Sequence, residues 1–502
     1  MSNQNEKKLT LIPLILMIFT SVFGFTNIVR GFFLMGYSAI PWYVISAITF
    51  FIPYAFMLAE FGATFRKESG GIYSWMEKSV GGKYAFIVTF MWFTSYIIWM
   101  VNVSSSIWIP FTNLIFGQDT TQSFAFFGLN ASQSLGILGI IFMLIVTFLS
   151  TKGLDKIQKV TNVGGTFVLL INALLIVGAI VVLALNGFHP AQPINAHSFV
   201  SSPNKDYLST LSIFSFLVFA IFAYGGLEAV GGVVDQTENP GKTFPKGIKI
   251  AAITVTIGYA IGILCVGFFA NWDKTMSMDT VNLPNVAYST VGNLGYSLGQ
   301  GFGLTTGTCE MLSNIFSRFV GLSMFLALTG AFFTLIYSPI KTLIEGTPKE
   351  IWPEFMTKNN EHGVPQNAMW IQCAIVVAII CVTAFLGGKG FLTYLILMAN
   401  VSMTIPYMFV AMAFVPFKKL EGLDRPFEVY KRPGTILFCT ILVVATVAFA
   451  NVFTIIQPFI ESGDLKSTLF QIAGPVIFSI IAVLLYNRYE KNYLKKNNDK
   501  VA

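Results

Sequence analysis

FAIFAYGGLEAVGGVVDQTENPGKTFPKG, residues 219 to 247, decides how the rest of this chain is read. It runs apolar, breaks at Gly225 and Gly226, places Glu228 just after the break, and reaches Asp235, Glu238 and Lys242 only later. In a soluble protein this would be an ordinary loop. Inside a bilayer, unpaired backbone groups cost several kcal/mol and are tolerated only where protein or a water-filled cavity surrounds them. A carboxylate beside a glycine pair at membrane depth therefore marks a candidate site.

Composition puts the stretch at membrane depth. The 502 residues are 54% hydrophobic and only 11% charged, about half the charged share of a soluble domain. Apolar runs of about 20 residues predict twelve spans in one polytopic all-α bundle. They fall at 9 to 35, 38 to 65, 84 to 112, 134 to 151, 160 to 187 and 207 to 235, then 247 to 270, 311 to 344, 367 to 386, 391 to 416, 434 to 459 and 468 to 487. The stretch 291 to 308 is expected to add a short external helix at most. No separate soluble domain is expected, because the longest hydrophilic stretches are too short for a core of their own.

The basic residues orient the bundle. The N-terminus, the segments 66 to 83, 152 to 159, 242 to 249, 341 to 358 and 418 to 432, and the C-terminal tail hold 25 of the 31 lysines and arginines. Both termini are therefore expected in the cytoplasm of a multi-pass cell (inner) membrane protein. The net charge of +7 follows from this asymmetry, with no nucleic-acid partner required. The first apolar run is too long for a cleaved signal peptide and leads directly into a second span. Five widely spaced cysteines without a CxxC pair are expected to serve packing.

The first span, LTLIPLILMIFTSVFGFTNIVRGFFLMG, stays apolar to Phe23 and then meets Gly24, Thr26, Asn27, Arg30 and Gly31. Gly24 lies 16 residues beyond Lys8 and Gly226 lies 16 before Lys242. At 1.5 Å per residue both breaks sit about 24 Å from the charged boundary, inside the core. Five spans separate them, an odd number, so a five-helix repeat must be inverted. That is the arrangement in which discontinuous helices create a midplane substrate site. Half-helix ends offer free amides to a carboxylate and free carbonyls to an amine, which suits a zwitterionic amino acid. Two packed glycine kinks are the plainer reading.

Taken together, FGFTNIVRGFFLMGYSAIP, AEFGATFRKESGGIYSW, FAYGGLEAVGG with DQTENPGKTFPKG, TGAFFTLIYSPIK and LMANVSMTIPY resemble the amino acid/polyamine/organocation superfamily. Within it they are similar to the glutamate/GABA antiporter branch, most closely the YjeM-type inner-membrane permeases. The resemblance implies the LeuT-type fold: inverted repeats at 9 to 187 and 207 to 416, then two further helices at 434 to 487. It also implies alternating-access transport of amino acids, coupled to protons or to a counter-substrate. By the same resemblance Gly24, Phe25, Thr26 and Asn27 form the first-helix break, and Ala223, Tyr224, Gly225 and Gly226 the sixth. Tyr224 corresponds to an aromatic covering the substrate, and Glu228 to a carboxylate linked to gating. Many relatives carry Gly-Ser-Gly where this chain has Gly-Phe-Thr-Asn, so the carboxylate-binding amides are left open.

Arg30 is a cation beyond the first break, either lining an outer pathway or pairing with a helix neighbour. Glu60, near Arg66 and Lys67, and Glu345, near Lys341, read as interfacial ion partners, and Arg318 as a partner of Glu310. The fifth span carries no ionisable residue between Lys159 and His189. The lysine that replaces sodium in some relatives is therefore missing, and Glu228 is the remaining candidate to carry a proton. No cofactor or catalytic motif appears: the three histidines sit in loops, and no HExxH, facing aspartates or phosphate loop is present. A sodium-coupled or polyamine permease of the same fold, and an amino acid sensor that binds without moving its ligand, stay open. The oligomeric state is not encoded in any motif.

Overall fold

A computed structural model describes residues 8 to 126, 128 to 278, 281 to 386 and 389 to 501, with side chains left aside at 389 to 391 and 494 to 501. Among the described residues the chain is helical throughout, with a single isolated bridge between Leu9 and Thr237. Eleven segments are long and apolar enough to cross a membrane. The count is one below the twelve expected because Leu11–Thr64 forms one uninterrupted apolar segment of 54 residues.

That segment is not one straight rod. Helix α1 (Leu11–Val22) stops at Phe23 and Gly24, α2 (Phe25–Met35) follows, and the chain turns at Gly36, whose φ of +58° suits glycine. Helix α3 (Ala39–Ser46) then passes through a π turn (Ala47–Phe51) into α4 (Ile52–Thr64). After α5 (Gly71–Val80), helices α6 (Gly82–Ser106) and α7 (Trp108–Phe116) make one near-continuous span, followed by α8 (Ala131–Ser150) and α9 (Leu154–Leu185). Asn130 and Gln133 cap α8 reciprocally, each side chain accepting the other's amide at 3.0 Å.

Helix α10 (Thr210–Phe222), capped by Ser209, ends just before the Gly225 and Gly226 break. Ala223 to Gly226 are non-helical, and a 3₁₀ segment (Leu227–Val233) carries Glu228. The chain continues through α11 (Pro240–Phe269), α12 (Val286–Gly301), α13 (Thr306–Gly346), α14 (Gln366–Phe385), α15 (Lys389–Lys419), α16 (Pro433–Ser462) and α17 (Leu465–Val501). Helix α12 is the short extra helix expected near 291 to 308.

Small residues let the helices close around the two breaks. A Cβ on Gly165 of α9 would stand 2.5 Å from the Leu16 carbonyl oxygen of α1, and one on Gly164 would stand 2.6 Å from that of Leu326 in α13. Such contacts allow backbones to approach where the hydrophobic effect cannot drive helices together.

Candidate functional site

The two broken helices meet at one hydroxyl. Tyr259 of α11, wholly buried, places its Oη 2.9 Å from the Val22 carbonyl at the end of α1 and 3.0 Å from the Ala223 carbonyl at the end of α10. The same oxygen accepts from the Gly24 amide at 3.1 Å and from Asn27 Nδ2 at 3.3 Å. A phenol has one proton. It can serve only one of the two carbonyls at a time; Val22 O also accepts the Gly24 amide at 3.0 Å, so when the phenol turns to Val22 it is Ala223 O that lacks a donor among the described residues.

The freed amides face the same region. Phe25 and Thr26 begin α2, and their N–H groups have no acceptor among the described residues. Gly226 donates to Tyr407 Oη of α15 at 3.1 Å. Its φ of +105° and its approach to Ser21 O, which a Cβ would meet at 2.8 Å, both require glycine. The breaks therefore bring together Gly24, Phe25, Thr26 and Asn27 on one side and Ala223, Tyr224, Gly225 and Gly226 on the other.

Tyrosines fill the space around them. Tyr224 is stacked on Phe51 with ring centres 4.7 Å apart, and its hydroxyl donates to Tyr43 O at 3.2 Å. Tyr43 Oη in turn donates to Asn27 O at 2.8 Å. Below the junction a cavity of about 100 Å³ lies between the first break, α9 and α13. Thr20, Thr26 and Ser323 are among its lining residues; the Thr20 hydroxyl donates to Met17 O at 2.8 Å, and Ser323 Oγ, on a residue only 1% exposed, has no hydrogen-bond partner.

Glu228 is 2% exposed. Its Oε1 accepts from Trp92 Nε1 at 3.0 Å and Tyr96 Oη at 3.1 Å, both on α6, while Oε2 has no partner. Two donors on one oxygen and none on the other leave room for a proton. The 3₁₀ segment itself is held by α13: Ser338 Oγ donates to Ala229 O, and Lys341 Nζ donates to Gly232 O at 3.1 Å.

Arg30, three residues beyond Asn27 on α2, makes no hydrogen bond to this junction among the described residues. It is half-buried, donates Nε to Leu283 O at 3.4 Å, and has no carboxylate partner among the described residues. Of three pairings expected from sequence proximity, Lys341 with Glu345 is present and two resolve differently. Glu60, 1% exposed, is bound by Lys418 Nζ at 2.9 Å and by the amides of Val429 and Tyr430 at 2.6 and 2.7 Å, not by Arg66 or Lys67. Lys341 is itself buried and engages Asp235 at 2.7 Å, with Glu345 at 3.9 Å. Arg318 binds Asn314 and the carbonyls of Leu114 and Ile115 that close α7, in place of Glu310. Near Glu60, the Lys418 ammonium 2.7 Å from Glu428 holds that loop carboxylate below its ordinary range.

Sequence reasoning placed neither Tyr259 nor Tyr407 at the breaks. A tyrosine inside an apolar span reads as packing, and the partners of Tyr259 lie up to 237 residues away.

Comparison with known proteins bears on the whole chain. The Inner membrane transporter YjeM of Escherichia coli (strain K12) is 53% identical over 485 residues, covering 96% of each chain. The Aspartate/glutamate permease AcaP of Lactococcus lactis subsp. cremoris is 23% identical, covering 96% of this chain and 94% of the relative. A Glutamate/gamma-aminobutyrate antiporter from the same organism is 24% identical over 91% and 85%. The family model for amino acid permeases matches residues 9 to 492. A membrane transporter and not an enzyme, the chain belongs to the amino acid permease family.

Proposed function

We propose that this permease is a secondary active transporter of an amino acid or small amine, working by alternating access with substrate held between the two broken helices. The observation that carries the reading is the Tyr259 junction, where Val22 O and Ala223 O compete for one phenolic proton. An ammonium brings three donors and would satisfy both carbonyls. The relatives named for aspartate, glutamate and γ-aminobutyrate are joined by a Probable agmatine/putrescine antiporter, 22% identical. An amine is common to all these compounds and a carboxylate is not. Carbonyl recognition of the amine is thus the shared element, while the free amides of Phe25 and Thr26 would add affinity for a carboxylate.

In this reading the bundle has twelve membrane helices in two inverted repeats, followed by two further helices, with both termini cytoplasmic. The Leu11–Thr64 segment of 54 residues supports a double crossing, since a straight helix of that length would run about 80 Å, against a hydrocarbon core of about 30 Å. Glu228 is the group we assign to proton coupling. A sodium-coupled alternative draws on Ser323, whose hydroxyl has no hydrogen-bond partner and which lines a small cavity beside the first break together with Thr20 and Thr26.

The test is counterflow in proteoliposomes with labelled glutamate, γ-aminobutyrate, neutral amino acids and putrescine, at two pH values and with or without sodium. Exchange of at least one amine-bearing compound is expected. Binding without exchange would favour the sensor reading, and sodium dependence abolished by Ser323→Ala would favour the alternative. If Arg30 lines the pathway, Arg30→Ala removes any preference for an acidic side chain; an unchanged preference rejects that role.

A further inference from the structure

A second site lies at the end of the bundle that carries the N-terminus, outside the junction described above. Lys8, Arg66, Lys67 and Lys242 line a cavity of about 700 Å³ with Asn239, Gly241 and Pro426. One carboxylate, Asp235, reaches the lining, and Lys341 already holds it at 2.7 and 2.8 Å. Lys8, Lys67 and Lys242 are exposed and have no carboxylate within 4 Å among the described residues. Glu238, on the same connection, forms no ion pair with them either.

The cations come from separate segments that the fold pins in place. Leu9, wholly buried, donates its amide to Gln236 O at 2.9 Å and accepts from the Glu238 amide at 2.8 Å, which fixes Lys8 beside the connection leading to α11. Arg66 is held by Ala63 O at 3.0 Å and by Asp424 at 2.5 Å. Its stem packs on Gly241, where a Cβ would lie 3.2 Å from Arg66 Cδ and 3.1 Å from Pro426 Cγ. A surface that only solvated its charges would have no need to gather three unpaired lysines into one concavity, where their mutual repulsion opposes folding.

We infer that this cavity binds a phosphate-bearing anion, either the headgroup of an anionic lipid or a soluble phosphate. Basic pockets at the cytoplasmic boundary are suited to phosphate headgroups, and the unpaired lysines supply the charge-assisted donors that a phosphate accepts. Occupancy would clamp the base of α1, the α4–α5 connection and the start of α11 together, stabilising the arrangement in which this face is closed. The inference does not depend on which substrate the permease carries.

The experiment uses the full chain and thermal unfolding in three settings: detergent with inorganic phosphate, nanodiscs of phosphatidylcholine, and nanodiscs containing phosphatidylglycerol. The variant is Lys8→Gln/Lys67→Gln/Lys242→Gln. Its control, Lys156→Gln/Lys349→Gln/Lys358→Gln, removes the same charge from outside the cavity. The wild type and the control are expected to be stabilised by the anion, with the cavity variant losing roughly fivefold in apparent affinity per lysine removed. A shift with phosphatidylglycerol alone assigns a lipid headgroup, and a shift with inorganic phosphate assigns a soluble ligand. Both support the site. Equal shifts in the cavity variant and the wild type, equal losses in the control, or no shift in the wild type in any setting overturn it. Matching melting temperatures of the variants in phosphatidylcholine establish that each is folded.

Discussion

Replacing Gly226 by alanine should damage this protein in a way that can be worked out atom by atom. The residue has φ +105°, and an alanine held in left-handed backbone costs about 1 to 2 kcal/mol. The new methyl would also stand 2.8 Å from the Ser21 carbonyl oxygen. That neighbour is backbone at the end of α1 and cannot rotate away, so overpacking adds about 1 to 3 kcal/mol. Together these amount to about 2 to 5 kcal/mol, a large part of the 5 to 15 kcal/mol typical of a folded protein. Two glycine controls separate geometry from mere loss of glycine. Gly24 has φ −74°, and its added methyl would meet the movable end of Asn27 at 2.8 Å. Gly24→Ala is therefore expected to cost about 1 kcal/mol, the net value of the Asn27 to Tyr259 hydrogen bond. Gly434 has open space around it, and Gly434→Ala should be neutral or stabilising by up to about 1 kcal/mol. Melting of the purified proteins, with flux at matched protein levels, gives the ranking. If Gly226→Ala melts with the wild type and still transports, the claim that this break is fixed by its glycine is wrong.

Glu228→Gln keeps an acceptor for Trp92 and Tyr96 but cannot exchange a proton, so transport should lose its pH dependence; an unaltered profile removes Glu228 from the coupling step. If the carboxylate is ionised at rest, the same change weakens two charge-assisted bonds to neutral ones and costs about 2 kcal/mol in melting experiments. Glu60→Ala strips the acceptor from two amides and breaks a buried ion pair, an expected loss of about 3 to 5 kcal/mol. The value should fall toward the lower end because Lys418 keeps Glu428. Glu60→Gln should lose less, and equal losses would mean that the amides contribute little. The Glu428 carboxyl titrates below its ordinary value of 4.5 because of Lys418. Its contribution to stability is therefore complete above about pH 4.5 and fades as pH falls through the lower folded value. Glu428→Gln should flatten the melting curve against pH in that acid window, and an identical acid slope in both proteins would refute the assignment.

The two breaks were legible in the sequence because glycines at similar depth interrupt two apolar spans, and Glu228 stood out as a lone carboxylate beside one of them. The geometry that makes them a site was not. Tyr259, Tyr407 and Tyr96 act through hydroxyls whose partners are distant in the chain, and an isolated tyrosine in an apolar helix carries no sign of them. The ion pairs show the same limit: Arg66 and Lys67 are Glu60's neighbours in sequence, but the helix end turns that carboxylate toward Lys418, 358 residues away. Proximity along the chain named Lys341 for Glu345 correctly and misnamed the partners of Glu60 and Arg318. The span count differed because Leu11–Thr64 is apolar along its whole length and stands as one segment where the sequence reading had two.

The π turn at Ala47–Phe51 sits between two anchor points on the same membrane segment. Before it, Tyr43 reaches Asn27 at the first break; after it, Glu60 reaches Lys418 and the 429 to 430 amides. A π turn winds in one residue more than the surrounding α-helix needs, so it takes up slack between the two anchors. Deleting one residue from 47 to 51 would restore regular winding and leave both anchors in phase, whereas the same deletion in the regular helix on either side would rotate one anchor by about 100° relative to the other. A length change of a single residue is therefore absorbed at the π turn and uncouples the two anchors when it is made elsewhere in the segment.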